Sequence, residues 1–266
     1  MNYFIEGVQG AGKSTLVNRL AETLPEYNVF REGDYNPIEL AWCTYMTVEQ
    51  YDEVLVKYAE LADEIRFNTH NEKSKDEERR IVTYTRIITD IPGFHKDLEQ
   101  YEIYNGRVSR EVFEDIILSR YGAWNGEDQI FECSIFQNIV ENMILYFEMT
   151  DDEIVSFYKK LRTVIGDREF RICYLDVENV AEGIDIIRRE RVDADGNEMW
   201  FPLMMEFIKN CPMGIHLGWN DEECLVRHLC HRKTLELRLL KEVFPDHAVI
   251  LKSKECEPED VIGEIV

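Results

Sequence analysis

The sequence predicts an α/β protein. A mainly parallel central sheet of about five strands lies between two layers of helices, making a three-layer α/β/α sandwich with one helical insertion. Three observations carry this. Short β-prone runs alternate with helix-period segments along the 266 residues. A glycine-rich segment, residues 7–15, separates the first strand-like run from the first helical one. An apolar fraction of 45% is enough for a sizeable buried core, and the length suits one large domain spanning 1–266. Within it, residues 43–124 lack the strand–helix rhythm and form the insertion, and residues 180–200 form a lid.

The elements follow in order. Residues 2–8 open as a strand, because Tyr3, Phe4, Ile5 and Val8 are β-prone. Residues 14–24 read as a helix, with Leu16, Leu20 and Leu24 at helical spacing and Pro25 as its stop. Residues 28–31 form the second strand and run into Glu32-Gly33-Asp34, and residues 48–67 read as a helix. Residues 68–80 are polar and charge-dense, which assigns them to a loop or a solvated helix end. Residues 81–88 alternate weakly and read as a strand before the turn Asp90-Ile91-Pro92-Gly93. Asn105-Gly106 marks a further turn, and Ser109 caps a helix that runs to about Tyr121. Residues 129–131 form a short buried strand ending in Glu132-Cys133-Ser134, with helices at 136–147 and 151–164 behind it. Residues 170–175 are a clear strand, followed by Asp176 and a helix at 180–191 with a basic end. A loop at 193–197, an amphipathic helix at 222–243, a strand at 248–251 and a helix at 258–265 complete the chain, with no internal repeat.

Lys plus Arg number 30 and Asp plus Glu 53, a net charge of −23. Such a surface repels phosphate backbones and anionic lipid, so neither nucleic acid nor a membrane surface is expected as a partner. Any anion site must then be made locally, by basic side chains or backbone N–H groups. The first six residues carry no basic region and begin no long apolar run, so no signal peptide or membrane span is expected. The seven cysteines include no Cys-x-x-Cys pair, which suits reduced thiols and a cytoplasmic location.

Gly7-Val8-Gln9-Gly10-Ala11-Gly12-Lys13-Ser14-Thr15 matches G-x-x-x-x-G-K-[ST] at every fixed position. Glycines let successive N–H groups turn inward around a phosphate, and the following helix adds positive potential at its N-terminus. The segment resembles the phosphate-binding loop of the P-loop NTPases. The resemblance implies ATP held by Gly7, Gln9, Gly10, Ala11, Gly12, Lys13, Ser14 and Thr15. Lys13 is expected to face the terminal phosphates rather than pack in the core, and the Ser14 hydroxyl to hold Mg²⁺.

The wider layout resembles nucleoside and nucleotide kinases of that class, especially deoxynucleoside and thymidylate kinases. The second strand ends in an acidic residue, Glu32 or Asp34, with Pro37 and Trp42 following. The third ends in Glu132-Cys133-Ser134, where the family has an acid, Arg and Ser, so Cys133 replaces a cation. Arg188, Arg189 and Arg191 resemble an arginine-bearing lid. The implied activity is transfer of the γ-phosphate of ATP to a nucleoside, nucleotide or other hydroxylated small molecule.

Phosphoryl transfer needs a cradle, a metal, an acceptor-orienting base and cationic clamps. Glu132 is the expected acid at Mg²⁺, with Asp176 second, since both end strands where ligands meet a parallel sheet. Arg188, Arg189 and Arg191 are the clamps, with Arg168 and Arg171 in reserve. At most two of the three reach one phosphate together, and an ion-paired face with Glu182, Asp185 and Glu190 is the plainer alternative. Glu32, ahead of Asp34, is the expected base, the two lying two residues apart on extended chain. The alternative function is a regulatory P-loop ATPase or GTPase without a small-molecule acceptor. Asp90-Ile91-Pro92-Gly93 fits D-x-x-G, but no N-K-x-D guanine reader occurs. Cys224, His228 and His231 have zinc-like helical spacing, yet they share their helix with a leucine stripe that makes Cys224 a small hydrophobe. His216 and Trp219 are expected to border a ligand pocket, and a homodimer is left open.

Overall fold

The computed structural model describes residues 1–74 and 77–263. From the N-terminus run β1 (Asn2–Glu6), α1 (Lys13–Thr23) and β2 (Asn28–Phe30). Then come α2 (Val48–Lys57), α3 (Ala62–Phe67), β3 (Thr69–Ser74), β4 (Glu77–Val82), α4 (Phe94–Glu99) and α5 (Arg110–Ala123). They are followed by β5 (Gln129–Glu132), α6 (Gln137–Leu145), α7 (Asp151–Ile165), β6 (Phe170–Asp176) and α8 (Val180–Glu190). The chain continues through α9 (Trp200–Asn210), α10 (Pro212–Leu217), α11 (Glu222–Glu242), β7 (Ala248–Lys252) and α12 (Pro258–Ile262). Two compact units result: Met1–Val29 with Asn125–Val266, and Phe30–Trp124.

The first unit is built on a five-stranded sheet in the order β2-β5-β1-β6-β7. β1 pairs in parallel with β5 and β6, and β6 with β7. All five residues of β1 are buried, as a central strand covered on both faces must be. Phe4 shows why: its ring stacks on Phe131 at 4.9 Å and meets the edge of Phe170 at 5.8 Å. The residues that alternate with it, Tyr3 and Ile5, instead meet Leu16, Val17 and Leu20 of α1. A smaller core joins α8, α9 and α11 through Ile184, Met205, Ile208, Leu225 and Leu229.

The second unit packs Tyr51, Val54, Ile65, Val82, Phe94 and Leu98 into its own core. Here the sequence expectations need correction. The single helix expected at 48–67 breaks at Tyr58, whose φ of −112° and ψ of 48° leave the helical region. A 3₁₀ turn at Ala59–Leu61 links the two pieces. Residues 68–80 are no loop: β3 and β4 pair antiparallel, Glu72 opposite Arg79 and Lys73 opposite Glu78. Opposite charges facing across a ladder stabilise a hairpin, so the charge density marks two strands. Residues 75–76 of that segment lie outside the described residues. Of the strand expected at 81–88, only Ile81 and Val82 belong to β4, and a 3₁₀ turn follows at Tyr84–Arg86.

Two helices were not foreseen in the first unit. α9 buries Met205 and Ile208, with Phe201 and Met204 half-buried beside them at helical spacing, and Pro202 in its first turn hides that period along the sequence. α10 is short and set by its ends: Pro212 at the first turn, the Cys211 Sγ accepting from the Gly214 amide, and Gly218 left-handed at its close. The last helix stops at Ile262, and residues 264–265 of its expected span lie outside the described residues. No helix among the described residues is long and apolar enough to cross a membrane.

Candidate functional site

The loop between β1 and α1 owes its shape to its glycines. Gly7 has φ +141°, and a Cβ there would lie 2.7 Å from the Leu175 carbonyl oxygen. Gly10 has φ +80°, and a Cβ there would meet Ile187 of α8 at 2.9 Å. Both positions therefore exclude a side chain by conformation and by contact. Within the loop the Ala11 amide donates to the Val8 carbonyl at 3.2 Å, and the Ser253 hydroxyl donates to the Ala11 carbonyl at 2.8 Å. α1 starts from Gly12 without a side-chain cap and without an acid in its first turn. α2, α7 and α11 each have both. α6 and α9 also start bare, but α1 does so beside a glycine-rich turn, with N–H groups open to an anion.

Lys13 differs from expectation. It is 8% exposed, and its Nζ donates to the carbonyls of Gly7 at 2.8 Å and Val8 at 3.0 Å. The ammonium is folded back onto the loop, because the loop's own carbonyls curl around it. Ser14 and Thr15 are exposed. The Ser14 hydroxyl donates to Glu132 Oε1 at 2.5 Å. Glu132 closes β5, directly opposite Ile5 of β1, so the parallel register brings this carboxylate to the loop's last turn. A hydroxyl and a carboxylate oxygen are hard ligands of the kind Mg²⁺ takes, so the pair fits a magnesium site completed by phosphate and water. Cys133 follows with φ +59° and is buried. Asp176, the alternative acid, is ion-paired with Lys233 at 2.6 Å.

Behind the loop lies a buried polar network that the sequence reading missed. Arg232 of α11 is fully buried. Its Nη2 donates to Gln9 Oε1 at 2.7 Å, its Nη1 to Glu141 of α6, and its Nε lies 3.1 Å from Glu236 Oε1. The Tyr174 hydroxyl donates to Glu236 Oε2 at 2.7 Å. Burial works against ionisation of Glu141, but Arg232 and His228 outweigh it and pull its carboxyl down to about 2. Glu236 goes the other way: burial raises it more than Arg232 lowers it. Glu6, at the end of β1, accepts from the Ile135 amide at 2.8 Å and the Gln137 amide at 3.3 Å. Burial pushes its carboxyl up to about 7. One signal was available for Arg232. In the leucine stripe 225, 229, 235, 239 of α11, Arg232 and Glu236 occupy core-facing positions one turn apart.

Among the clamp candidates, Arg188 is committed to other partners. It pairs with Glu198 at 3.0 Å and Glu222 at 2.9 Å, and lies over the Phe201 ring at 4.1 Å. Those partners come from the segments after α8, not from the helix face the sequence suggested. Arg189 is exposed and donates to the Asp185 carbonyl at 3.1 Å. The Arg191 side chain is exposed and has no polar partner among the described residues. The reserves are structural: Arg168 donates to the carbonyls of Val164 and Ile165, and Arg171 to those of Val261, Ile262 and Gly263. Each closes the end of a helix.

Glu32 and Asp34 belong to the second unit and flank Gly33, which has φ +83°. They sit in a turn, with the Asp34 amide donating to the Arg31 carbonyl at 3.0 Å. The expectation that they project alike from extended chain therefore fails. Asp34 accepts from the Arg31 amide at 2.9 Å and pairs with Arg86, while Glu32 accepts from Trp42 Nε1 at 3.3 Å. The turn at Asn36 is closed by that residue's own side chain, which accepts from the Ile38 and Glu39 amides. Asp90 follows irregular chain rather than a strand, and Gly93 serves as the N-cap of α4.

Cys224, His228 and His231 take separate partners. Cys224 Sγ accepts from Arg227, His228 faces Glu141 at 3.4 Å, and His231 pairs with Asp151 at 2.8 Å. No cluster of three metal-binding side chains occurs among the described residues. His216 pairs with Glu148 at 2.8 Å and does not line the cavity that Trp219 borders. No protein-family model matches this chain, and no curated protein matches it either.

Proposed function

We propose that the protein is an ATP-dependent phosphotransferase of the P-loop class, a small-molecule kinase. It would transfer the γ-phosphate of ATP to a nucleoside, nucleotide or other hydroxylated acceptor. The observation that carries this reading is the Ser14–Glu132 hydrogen bond of 2.5 Å at the foot of an uncapped helix that follows a glycine-rich loop. A magnesium pair, a lysine and open N–H groups are the parts that stabilise charge on a transferring phosphoryl group. Lys13, now on the Gly7 and Val8 carbonyls, would turn to the terminal phosphates of ATP held in the loop. Mg²⁺ would be held by Ser14 and Glu132 and would supply charge neutralisation during the transfer. Arg189 and Arg191 are the lid cations at hand, since Arg188 is held by Glu198 and Glu222. Glu32 is the base that the kinase resemblance implies, ahead of Asp34, whose oxygens accept from the Arg31 amide and pair with Arg86.

The test is ATP turnover with and without a panel of nucleosides, nucleotides and other hydroxylated compounds. Strong stimulation by one class supports the kinase reading. Turnover indifferent to every acceptor, or no turnover, contradicts it. Glu32→Gln is expected to lower kcat by about 10²-fold at unchanged ATP affinity, and Asp34→Asn much less.

A further inference from the structure

A cavity of about 450 Å³ opens within the first unit, where α6, α10 and α11 meet. Ile144, Met149 and His228 line it and are buried, and Met213 and Trp219 line it half-buried. Arg227 and His231 line it from exposed positions. Apolar walls with a few convergent polar groups, at this volume, are what a small-molecule site consists of.

The polar groups define the ligand's head. His228 is 2% exposed, and its Nδ1 has no hydrogen-bond partner among the described residues. Its Nε2 lies 3.4 Å from Glu141 Oε1, and its ring packs on Trp219 at 5.6 Å. A buried ring nitrogen without a hydrogen bond is destabilising, and a ligand oxygen would relieve it. Arg227 donates to Cys224 Sγ at 3.1 Å and forms no ion pair among the described residues, acting on Asp221 only at longer range. In a chain of net charge −23, an arginine without an ion pair, next to a histidine whose Nε2 faces Glu141 but whose Nδ1 is unbonded, marks a place prepared for an anion. The apolar lining calls for a hydrocarbon body behind it.

The cavity also adjoins the network behind the glycine-rich loop. His228 faces Glu141, Glu141 binds Arg232, and Arg232 holds Gln9. A ligand that fixes the His228 ring alters one end of a continuous buried chain whose other end is the loop.

We propose that this cavity binds a small amphiphilic carboxylate, an aromatic or short-chain acid, with its head on His228 and Arg227. Its occupancy is relayed through Glu141 and Arg232 to Gln9. This goes beyond the phosphotransferase reading and does not depend on it, because the readouts below need neither ATP nor turnover.

The test uses 4-phenylbutyrate as the probe and 4-phenylbutanol as its uncharged counterpart, titrated calorimetrically into the full chain. Saturable binding of the acid, roughly tenfold or more tighter than the alcohol, is expected. Arg227→Ala, at an exposed position, and Met213→Trp, which fills the cavity, should each weaken it by roughly tenfold or more. Both variants are checked for an unchanged circular-dichroism spectrum. Saturating acid should slow hydrogen exchange at residues 7–14 in the wild type but not in Gln9→Ala, which still binds the acid. No saturable binding at millimolar concentrations, equal binding of the alcohol, or equal binding by both variants overturns the site. Unchanged exchange at residues 7–14 under saturation overturns the relay.

Discussion

Lys13 and Glu132 define what single residues contribute. The Lys13 ammonium is held by two loop carbonyls, so it is pre-positioned and loses little freedom when it moves to a ligand. Lys13→Ala should lower phosphotransfer by about 10²-fold or more while the protein still folds. It should also cost about 1 kcal/mol, because the Gly7 and Val8 carbonyls lose their donor. Steady-state kinetics beside a denaturation curve checks both, and near-normal turnover in the folded variant would refute the role. Glu132→Gln keeps the shape and the Ser14 contact but removes the charge. It should raise the Mg²⁺ concentration for half-maximal activity while ATP binding changes little. An unaltered Mg²⁺ profile would remove Glu132 from the metal site. Asp176, tied to Lys233, would then be the next candidate.

At the scale of elements, α11 matters most for the first unit. It carries a leucine stripe into the core and, in the same stripe, the buried Arg232 and Glu236. Arg232→Met leaves Glu141 and Glu236 buried without their cation, at a cost of about 3–5 kcal/mol in chemical denaturation. Replacing all three (Glu141→Leu, Arg232→Met, Glu236→Leu) should restore much of that loss, because the unpaired charges go as well. A triple variant no more stable than the single one would show that Arg232 acts by packing instead. α8 contributes differently, because Ile187 and Gly183 pack directly on Gly10. Any movement of α8 is therefore felt at the loop.

How far each element was legible depends on how local its cause is. The glycine-rich loop was readable because φ-permissive glycines, a lysine and a serine at fixed spacing carry the whole structure within nine residues. Glu132 was readable from 118 positions away, because strand ends in a parallel sheet share one edge. Arg232 and Gln9 are 223 positions apart, and no strand rule links them, so their contact was not. The β3–β4 hairpin was misread because its cross-strand charge pairs look, along the chain, like solvated polarity. The turn at Gly33 was misread because a short strand was extended past its last paired residue.

Across the whole molecule, charge and burial meet in the response to pH. Burial raises the carboxyls of Glu6, Glu39 and Glu102 to about 7, from ordinary values near 4.5. Each folded-state carboxyl thus binds its proton more tightly than the unfolded chain does. Stability should therefore rise as pH falls from about 7 toward 4.5, and decline again below that as Glu141, held near 2, becomes the group that resists protonation. Relief of repulsion in a chain of net charge −23 acts in the same direction above pH 4.5. A Glu6→Gln variant separates the two causes, because it should flatten the melting-temperature slope between pH 4.5 and 7. A slope identical to wild type would mean that Glu6 titrates normally.

The most direct measurement of the central claim follows the label of γ-phosphate-labelled ATP, with Mg²⁺ present, across the acceptor panel. The predicted result is label on an organic acceptor hydroxyl, dependent on Mg²⁺ and nearly abolished in Lys13→Ala. Label found only as inorganic phosphate, or transfer that persists in Lys13→Ala, would contradict a loop built to pass a phosphoryl group to a small molecule.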